Sequence, residues 1–225
     1  MENLSSHFSK LKAYYRKTFL EYANVLLAHI VELKTADFEG DIFDKYLKDS
    51  IGYQWQKSIF EFVDSELEKI PKEVQKVKLS REDFSCCGCG VCCKFAVSEF
   101  SPQELRHKAM QGDVFASQFV KTFEPYDSIE NVKHIFPQYL EFLEKSEIDG
   151  GYYFYHCPRV TKDNKCPDYE NRPQICRDFP DNPIAFLPLS CGYNKWKRKT
   201  EKKMLELNAK SEILNFYKER LDEIV

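Results

Sequence analysis

The run Cys86-Cys87-Gly88-Cys89-Gly90-Val91-Cys92-Cys93 packs five of the nine cysteines into eight residues, and nothing else in the chain limits its fold so tightly. The thiols at 86, 89 and 92 have two residues between each, a spacing at which a turning backbone aims successive sulfurs at one centre. Gly88 and Gly90 can take left-handed conformations and leave amides free to donate to sulfur. Neighbouring side chains diverge, so Cys92 and Cys93 serve two centres more readily than one. Four single cysteines follow: Cys157, Cys166, Cys176 and Cys191. Pro158 and Pro167 follow the first two, and a polar turn over 161–165 joins them into what reads as a ligand-bearing hairpin. Eight thiolates complete two tetrahedral sulfur sites, or one iron-sulfur cluster and one zinc, with Cys87 to spare. Buried, inert cysteines are the bland alternative, and five in so short a run argue against it.

A disulfide framework is the other use for so many cysteines. A chain of 225 residues buries a core without cross-links. The cysteine number is odd, and Met1 to Lys10 is polar, with no apolar run behind a basic start to suggest secretion. Tyr22 to Val31, the most apolar window, is about half of the roughly 20 residues a membrane span needs. The expectation is a cytoplasmic protein without membrane association, whose reduced thiols bind metal. A net charge of -3 attracts neither phosphate backbones nor anionic lipid, so nucleic acid is not an expected partner. Metal ions are the expected partners, a protein partner is left open, and the sequence does not set the oligomeric state.

Helical periodicity flanks the cysteines. From Leu4 to Leu33, apolar residues recur every three or four positions, the pattern of a long amphipathic helix. A second helical stretch is expected from Ile42 to Ile70, interrupted near Gly52 and stopped by Pro71. Residues 1–78 thus form a helical region, residues 79–193 a cysteine-cluster domain, and residues 194–225 a helix that packs on the first two. Nine of the ten prolines and six of the eight glycines lie between Leu79 and Tyr193, so irregular backbone dominates there. Within it we expect a strand at Lys94 to Phe100, a helix capped by the box Ser101-Pro102-Gln103-Glu104 and closed by Gly112, a helix from Asn131 to Lys145, and a buried strand from Tyr152 to Tyr155. The fold class is mainly α with an irregular cysteine-rich metal-binding centre and a few short strands, α+β at most.

Two motifs carry a resemblance. Cys86, Cys89, Cys92 and Cys93 form CxxCxxCC, and the stretch from Cys166 to Pro180 follows a CxxYxxRPxxCRxFP pattern, with Tyr169, Arg172, Pro173, Cys176, Arg177, Phe179 and Pro180 in place. Over about Phe84 to Cys191 the chain resembles the zinc- or iron-chelating, YkgJ-like cysteine cluster proteins. Cys87 lies outside that pattern, and Pro167-Asp168 stands where a small and an aliphatic residue are usual. The resemblance implies a metal but names no reaction; Cys86, Cys89, Cys92, Cys93, Cys157, Cys166, Cys176 and Cys191 are the candidate ligands that the sequence itself offers.

The C-x2-C-x2-C spacing is also that of bacterial ferredoxins, in which a cysteine before proline supplies another ligand, so a [4Fe-4S] cluster is favoured. Zn2+ is the alternative, or the occupant of a second site. So many thiolates leave a negative excess that cations must offset. Arg172 and Arg177 are placed for this, and Arg177, beside Cys176, is expected to donate both to sulfur and to a carboxylate such as Asp168 or Glu170. His156 reads as a packed histidine rather than a ligand, and the basic run from Lys195 to Lys203 as a solvated helix face. The function expected is a metal-binding cysteine-cluster protein, structural or electron-handling. Two alternatives stand beside it: a protein-modifying enzyme like the flagellin lysine methylases, which carry a similar cluster, and a metal sensor or chaperone. No GxSxG, P-loop, dinucleotide fingerprint or HExxH appears, so whether the chain is an enzyme stays open.

Overall fold

A computed structural model describes residues 4–34, 38–145, 151–180 and 186–224. The chain is mainly α, 60% helical, with one small three-stranded sheet. It divides into two compact units, His7–Arg81 with Lys199–Val225, and Met1–Ser6 with Glu82–Arg198.

The first unit is built from α1 (Leu4–Glu32) after its first turn, α2 (Ile51–Leu79) and the C-terminal helix Asn194–Asp222 from Lys199 onward. Their apolar stripes meet in a core of Leu26, Ile30, Trp55, Ile59, Val63, Ile70, Ile213, Leu214 and Leu221. Ile59 and Val63 are fully buried, worth about 1.5–3 kcal/mol each. Trp55 Nε1 donates to the Ile30 carbonyl at 3.0 Å and His7 Nε2 meets Glu201 Oε2 at 3.1 Å, whereas the buried Gln56 Oε1 has no hydrogen-bond partner.

Two expectations fail in this unit, for local reasons. Ile42 to Leu47 is not helical. The Asp41 side chain accepts from the Phe43 amide and that of Asp44 from the Asp41 amide, both at 2.9 Å, giving the backbone an alternative to the helix. The helix starts instead at Ile51, capped by Ser50, whose hydroxyl accepts from the Tyr53 amide at 3.2 Å. Pro71 does not stop α2, which continues to Leu79. Proline forfeits one backbone bond, but Leu67, Ile70 and Val74 lie on both sides of it against the core, and that packing outweighs the local cost.

The second unit carries α3 (Val91–Lys94), β1 (Ala96–Ser98), α4 (Pro102–Met110), α5 (Val114–Thr122), β2 (Glu124–Pro125), a 3-10 turn at Ile129–Asn131, α6 (Pro137–Glu144), β3 (Tyr153–His156) and α7 (Gln174–Asp178). The central strand β3 pairs antiparallel with β1, Ala96 facing Tyr155, and with β2, Glu124 facing His156. One core of Phe95, Val132, Phe136, Leu140 and Leu143 lies under the sheet region, and a second joins Leu105, Ala116, Phe119 and Tyr155. The expected capping box is present at α4: the Ser101 hydroxyl accepts from the Glu104 amide at 3.2 Å, and Glu104 accepts from the Ser101 amide at 2.7 Å. The strand expected over 94–100 is shorter, because α3 takes Val91–Lys94 and the Ser98 hydroxyl closes a turn on the Phe100 amide. The helix expected over 131–145 begins only at Pro137, whose ring disfavours helix in the residue before it. Among the described residues, no helix is long and apolar enough to cross a membrane.

Candidate metal centre

The cysteine run folds as a knuckle. Gly88 and Gly90 both adopt left-handed backbone, at φ 70° and 71°, and Gly90 caps the single turn of α3, accepting from the amides of Cys93 and Lys94 at 3.1 and 3.0 Å. The turn before it brings the Gly88 amide to the Cys86 sulfur at 3.4 Å, the amide-to-thiol contact that glycine at this position allows.

Two later segments close on this knuckle. The hairpin bearing Cys157 and Cys166 is anchored where the Cys157 amide donates to the Cys93 carbonyl at 2.6 Å. Its tip is held by the Thr161 hydroxyl, which accepts from the Lys165 amide at 2.9 Å. Asn164 lies so close to Gly90 that a Cβ there would stand 2.7 Å from the asparagine's own, and Lys94 Nζ donates to its side-chain oxygen. The second segment is the Pro188–Tyr193 loop, where the Cys191 amide donates to the Pro188 carbonyl at 2.9 Å. Gly192 lies against the backbone of Ser85: a Cβ on it would sit 2.0 Å from the Ser85 carbonyl oxygen. Cys87 is stitched into this loop, its thiol donating to the Ser190 carbonyl at 3.0 Å and accepting from the Gly192 amide at 3.2 Å.

All nine thiols are free, eight of them half-buried and Cys87 exposed. Their electrostatic neighbours form two sets that overlap at Cys92 and Cys93, with Cys93 also feeling Cys89. Cys191 hydrogen-bonds Cys89, which also receives Cys87, while Cys92 feels the charges of Cys86 and Cys89. Cys176 has Cys93, Cys157 and Cys166 as its thiol neighbours. The groups touch where the Cys92 and Cys93 sulfurs stand 4.0 Å apart. Two thiol pairs share a proton, one inside the first group and one, Cys92 with Cys93, across the boundary between the groups. The bond from Cys191 brings Cys89 down to about 6, and the same bond, with burial, pushes Cys191 up. The bond from Cys92 brings Cys93 down to about 7 against the cost of burial, assisted by the Arg172 and Lys94 cations, while Cys92 rises for the reciprocal reason. Burial pushes Cys176 up to about 11, with the charges of Cys93, Cys157 and Cys166 adding and Arg172 opposing. A bound cation would reverse these preferences, since metals take thiolates and release their protons.

The donor chemistry fits zinc or iron: clustered, unpaired thiols next to amides and cations. The positions fit less closely. Among the described residues, no three His, Cys, Asp or Glu side chains converge tightly enough to hold an ion, so binding requires the sulfurs to draw together.

Arg177 acts differently from expectation. Arg177 does not donate to a sulfur or a carboxylate; its guanidinium donates to the carbonyls of Arg172 and Glu170, at 2.9 and 2.8 Å, and so ties the loop before Cys176. Asp168, its expected partner, is taken by Arg159 at 3.1 Å and Asn171 at 2.9 Å. Arg172 supplies the positive field at Cys93 and Cys176 while its guanidinium lies over the Tyr169 ring, 3.7 Å from the centroid. Lys94 adds a cation that sequence reasoning missed; its position directly after Cys93 was the available signal. His156 packs against Tyr126, with ring centroids 4.6 Å apart.

Residues 85–206 match the family model CxxCxxCC, described as a putative zinc- or iron-chelating domain. No curated protein and no solved structure matches the chain.

Proposed function

From the premise that this chain belongs to the CxxCxxCC family of zinc- or iron-chelating domains, we propose that it holds two metal centres of four thiolates each. Cys86, Cys89, Cys92 and Cys191 form the first, and Cys93, Cys157, Cys166 and Cys176 the second. What supports this reading is that Cys89 has Cys191 among its thiol neighbours while Cys176 has Cys93, Cys157 and Cys166, the two sets meeting where the Cys92 and Cys93 sulfurs stand 4.0 Å apart.

The first centre has the C-x2-C-x2-C spacing that suits a [4Fe-4S] cluster, and the second has the scattered thiols of a structural zinc site. An iron-sulfur cluster would supply one-electron chemistry, so the role that follows is electron handling, with the second centre fixing the hairpin. The protein's own part is to gather the sulfurs and offset their charge. Gly88 directs an amide at Cys86, Arg172 and Lys94 set positive charge beside the second group, and Arg177 braces the loop that carries Arg172.

Anaerobic purification and reconstitution, followed by elemental analysis and a visible spectrum, test the proposal. About four irons and four sulfides for the first centre and about one zinc for the second, per chain, together with visible charge-transfer absorption, support it. Colourless protein with zinc alone removes the cluster, and folded protein that binds no metal removes both centres.

A further inference from the structure

The first helix carries two apolar stripes, and only one of them is used by its own unit. Phe19, Tyr22, Ala23, Leu26 and Ile30 pack into the core. Along a different stripe of the same helix, Ala13, Lys17, Leu20, Asn24, Leu27 and Val31 are all exposed. Its apolar surface comes mainly from Leu20, 56% exposed, Leu27, 48%, and Val31, 67%. Successive members stand alternately four and three residues apart. That is the heptad of a coiled coil, sustained over about 27 Å of helix. Ala13, Leu20 and Leu27 take the d positions, and Lys17, Asn24 and Val31 the a positions. A helix that served its own core alone would present polar residues along this side.

We propose that this stripe pairs with the same stripe of a second copy of the chain, as a parallel two-stranded coiled coil. Leucine at d with valine at a suits two strands. A single asparagine at an a position sets direction and register. In the parallel arrangement Asn24 meets its own copy, and each amide satisfies the other, whereas antiparallel pairing would set it against leucine. Charge points the same way. Arg16 and Glu21, both exposed, flank the stripe on opposite edges, at a g and the following e position. Parallel pairing brings the arginine of one chain to the glutamate of the other, and two-fold symmetry makes that ion pair twice. Lys17 is the unfavourable position, because its two copies face each other. Its ammonium stands 3.6 Å from Glu21 of its own helix, which draws the charge off the seam while the aliphatic stem stays on it. So short a seam falls below the standard interface size, and the dimer is a reversible one.

Sedimentation equilibrium of the full chain, kept in reductant so that no disulfide links two copies, tests this pairing. Between about 1 and about 200 µM, the average mass should rise from that of one chain toward that of two. Leu27→Glu and Val31→Lys, at exposed positions where substitution leaves the folded chain intact, should each hold it at one. Arg16→Glu and Glu21→Arg should each weaken association several-fold. The double variant Arg16→Glu/Glu21→Arg should restore it, and so should an equimolar mixture of the two single variants. A chain that stays single at every concentration overturns the inference and leaves the stripe to a helix of another protein. Association that survives Leu27→Glu or Val31→Lys lies on another surface and overturns it too. Association lost in those variants but indifferent to exchange of the Arg16 and Glu21 charges overturns the parallel pairing. None of these results touches the reading of the thiols as two metal centres.

Discussion

The Cys157 amide donates to the Cys93 carbonyl at 2.6 Å, so the end of the central strand and the end of the cysteine knuckle share one backbone bond. The sheet thus delivers Cys157 to a fixed place beside Cys93 before any metal is considered. Bonds of this kind, from residues far apart in sequence, define the candidate centres, and each can be disturbed separately.

Gly192→Ala tests the first centre. The added methyl would meet the Ser85 carbonyl at 2.0 Å, a contact between backbone groups that neither side chain can relieve. The loop must move, taking Cys191 away from Cys89. Elemental analysis of the zinc-loaded protein should show one metal equivalent lost and one retained.

Gly88 and Gly90 allow a controlled comparison. Both have positive φ, so alanine at either position costs about 1–2 kcal/mol from the backbone alone. A Cβ at Gly88 meets nothing within 4 Å, whereas one at Gly90 stands 2.7 Å from the Asn164 Cβ. Gly90→Ala should therefore lower the melting temperature more than Gly88→Ala does, and only Gly90→Ala should also free the hairpin tip, seen as faster amide exchange over 161–165.

Acid should weaken the helical unit through Glu66. Hydrogen bonds from Lys210 and Lys69 hold its carboxyl below the usual carboxylate range. With the folded value depressed, its contribution is present at neutral pH and is lost as pH falls through that value. The loss is about 1 kcal/mol. Urea titrations of wild type and Glu66→Gln should differ at pH 7 and converge at the acid end.

The core of the same unit gives the largest expected effect. Ile59 has no exposed surface, and Ile59→Ala should cost about 2–5 kcal/mol by urea denaturation, through lost burial and the cavity left behind. Metal stoichiometry of the loaded variant, measured where it remains folded, should be unchanged.

Sequence reasoning succeeded where one local rule controls the backbone. The period of apolar residues gave α1 nearly to its ends, and the Ser101–Glu104 pair gave the start of α4, because each element carries its own signal within a few residues. It failed where distant packing or competing side-chain bonds decide. Pro71 is a helix stop only if nothing on both sides of it packs, and Leu67, Ile70 and Val74 pack against the core. Ile42 to Leu47 carries helical spacing, but Asp41 and Asp44 capture the backbone amides first. At the cysteines, the residue types and the Cys92–Cys93 divergence were legible. The partner of Cys191 was not, because that depends on Gly192 coming against Ser85, a contact with no trace in either residue's neighbours. Arg177 was assigned the wrong partners for a related reason: Asp168 had a closer claimant in Arg159.

The bond between Cys87 and the Ser190 carbonyl joins residues 103 positions apart. On a ribosome the knuckle emerges long before the loop that completes its surroundings, and during that interval its thiols are unscreened by the segment they will finally touch. A compartment that keeps them reduced over the time of synthesis is therefore a condition of correct assembly, and an oxidant acting on nascent chains would trap the knuckle in premature sulfur-sulfur bonds. In the finished protein the loop at least covers part of the knuckle, leaving Cys87 exposed and the other eight thiols half-buried.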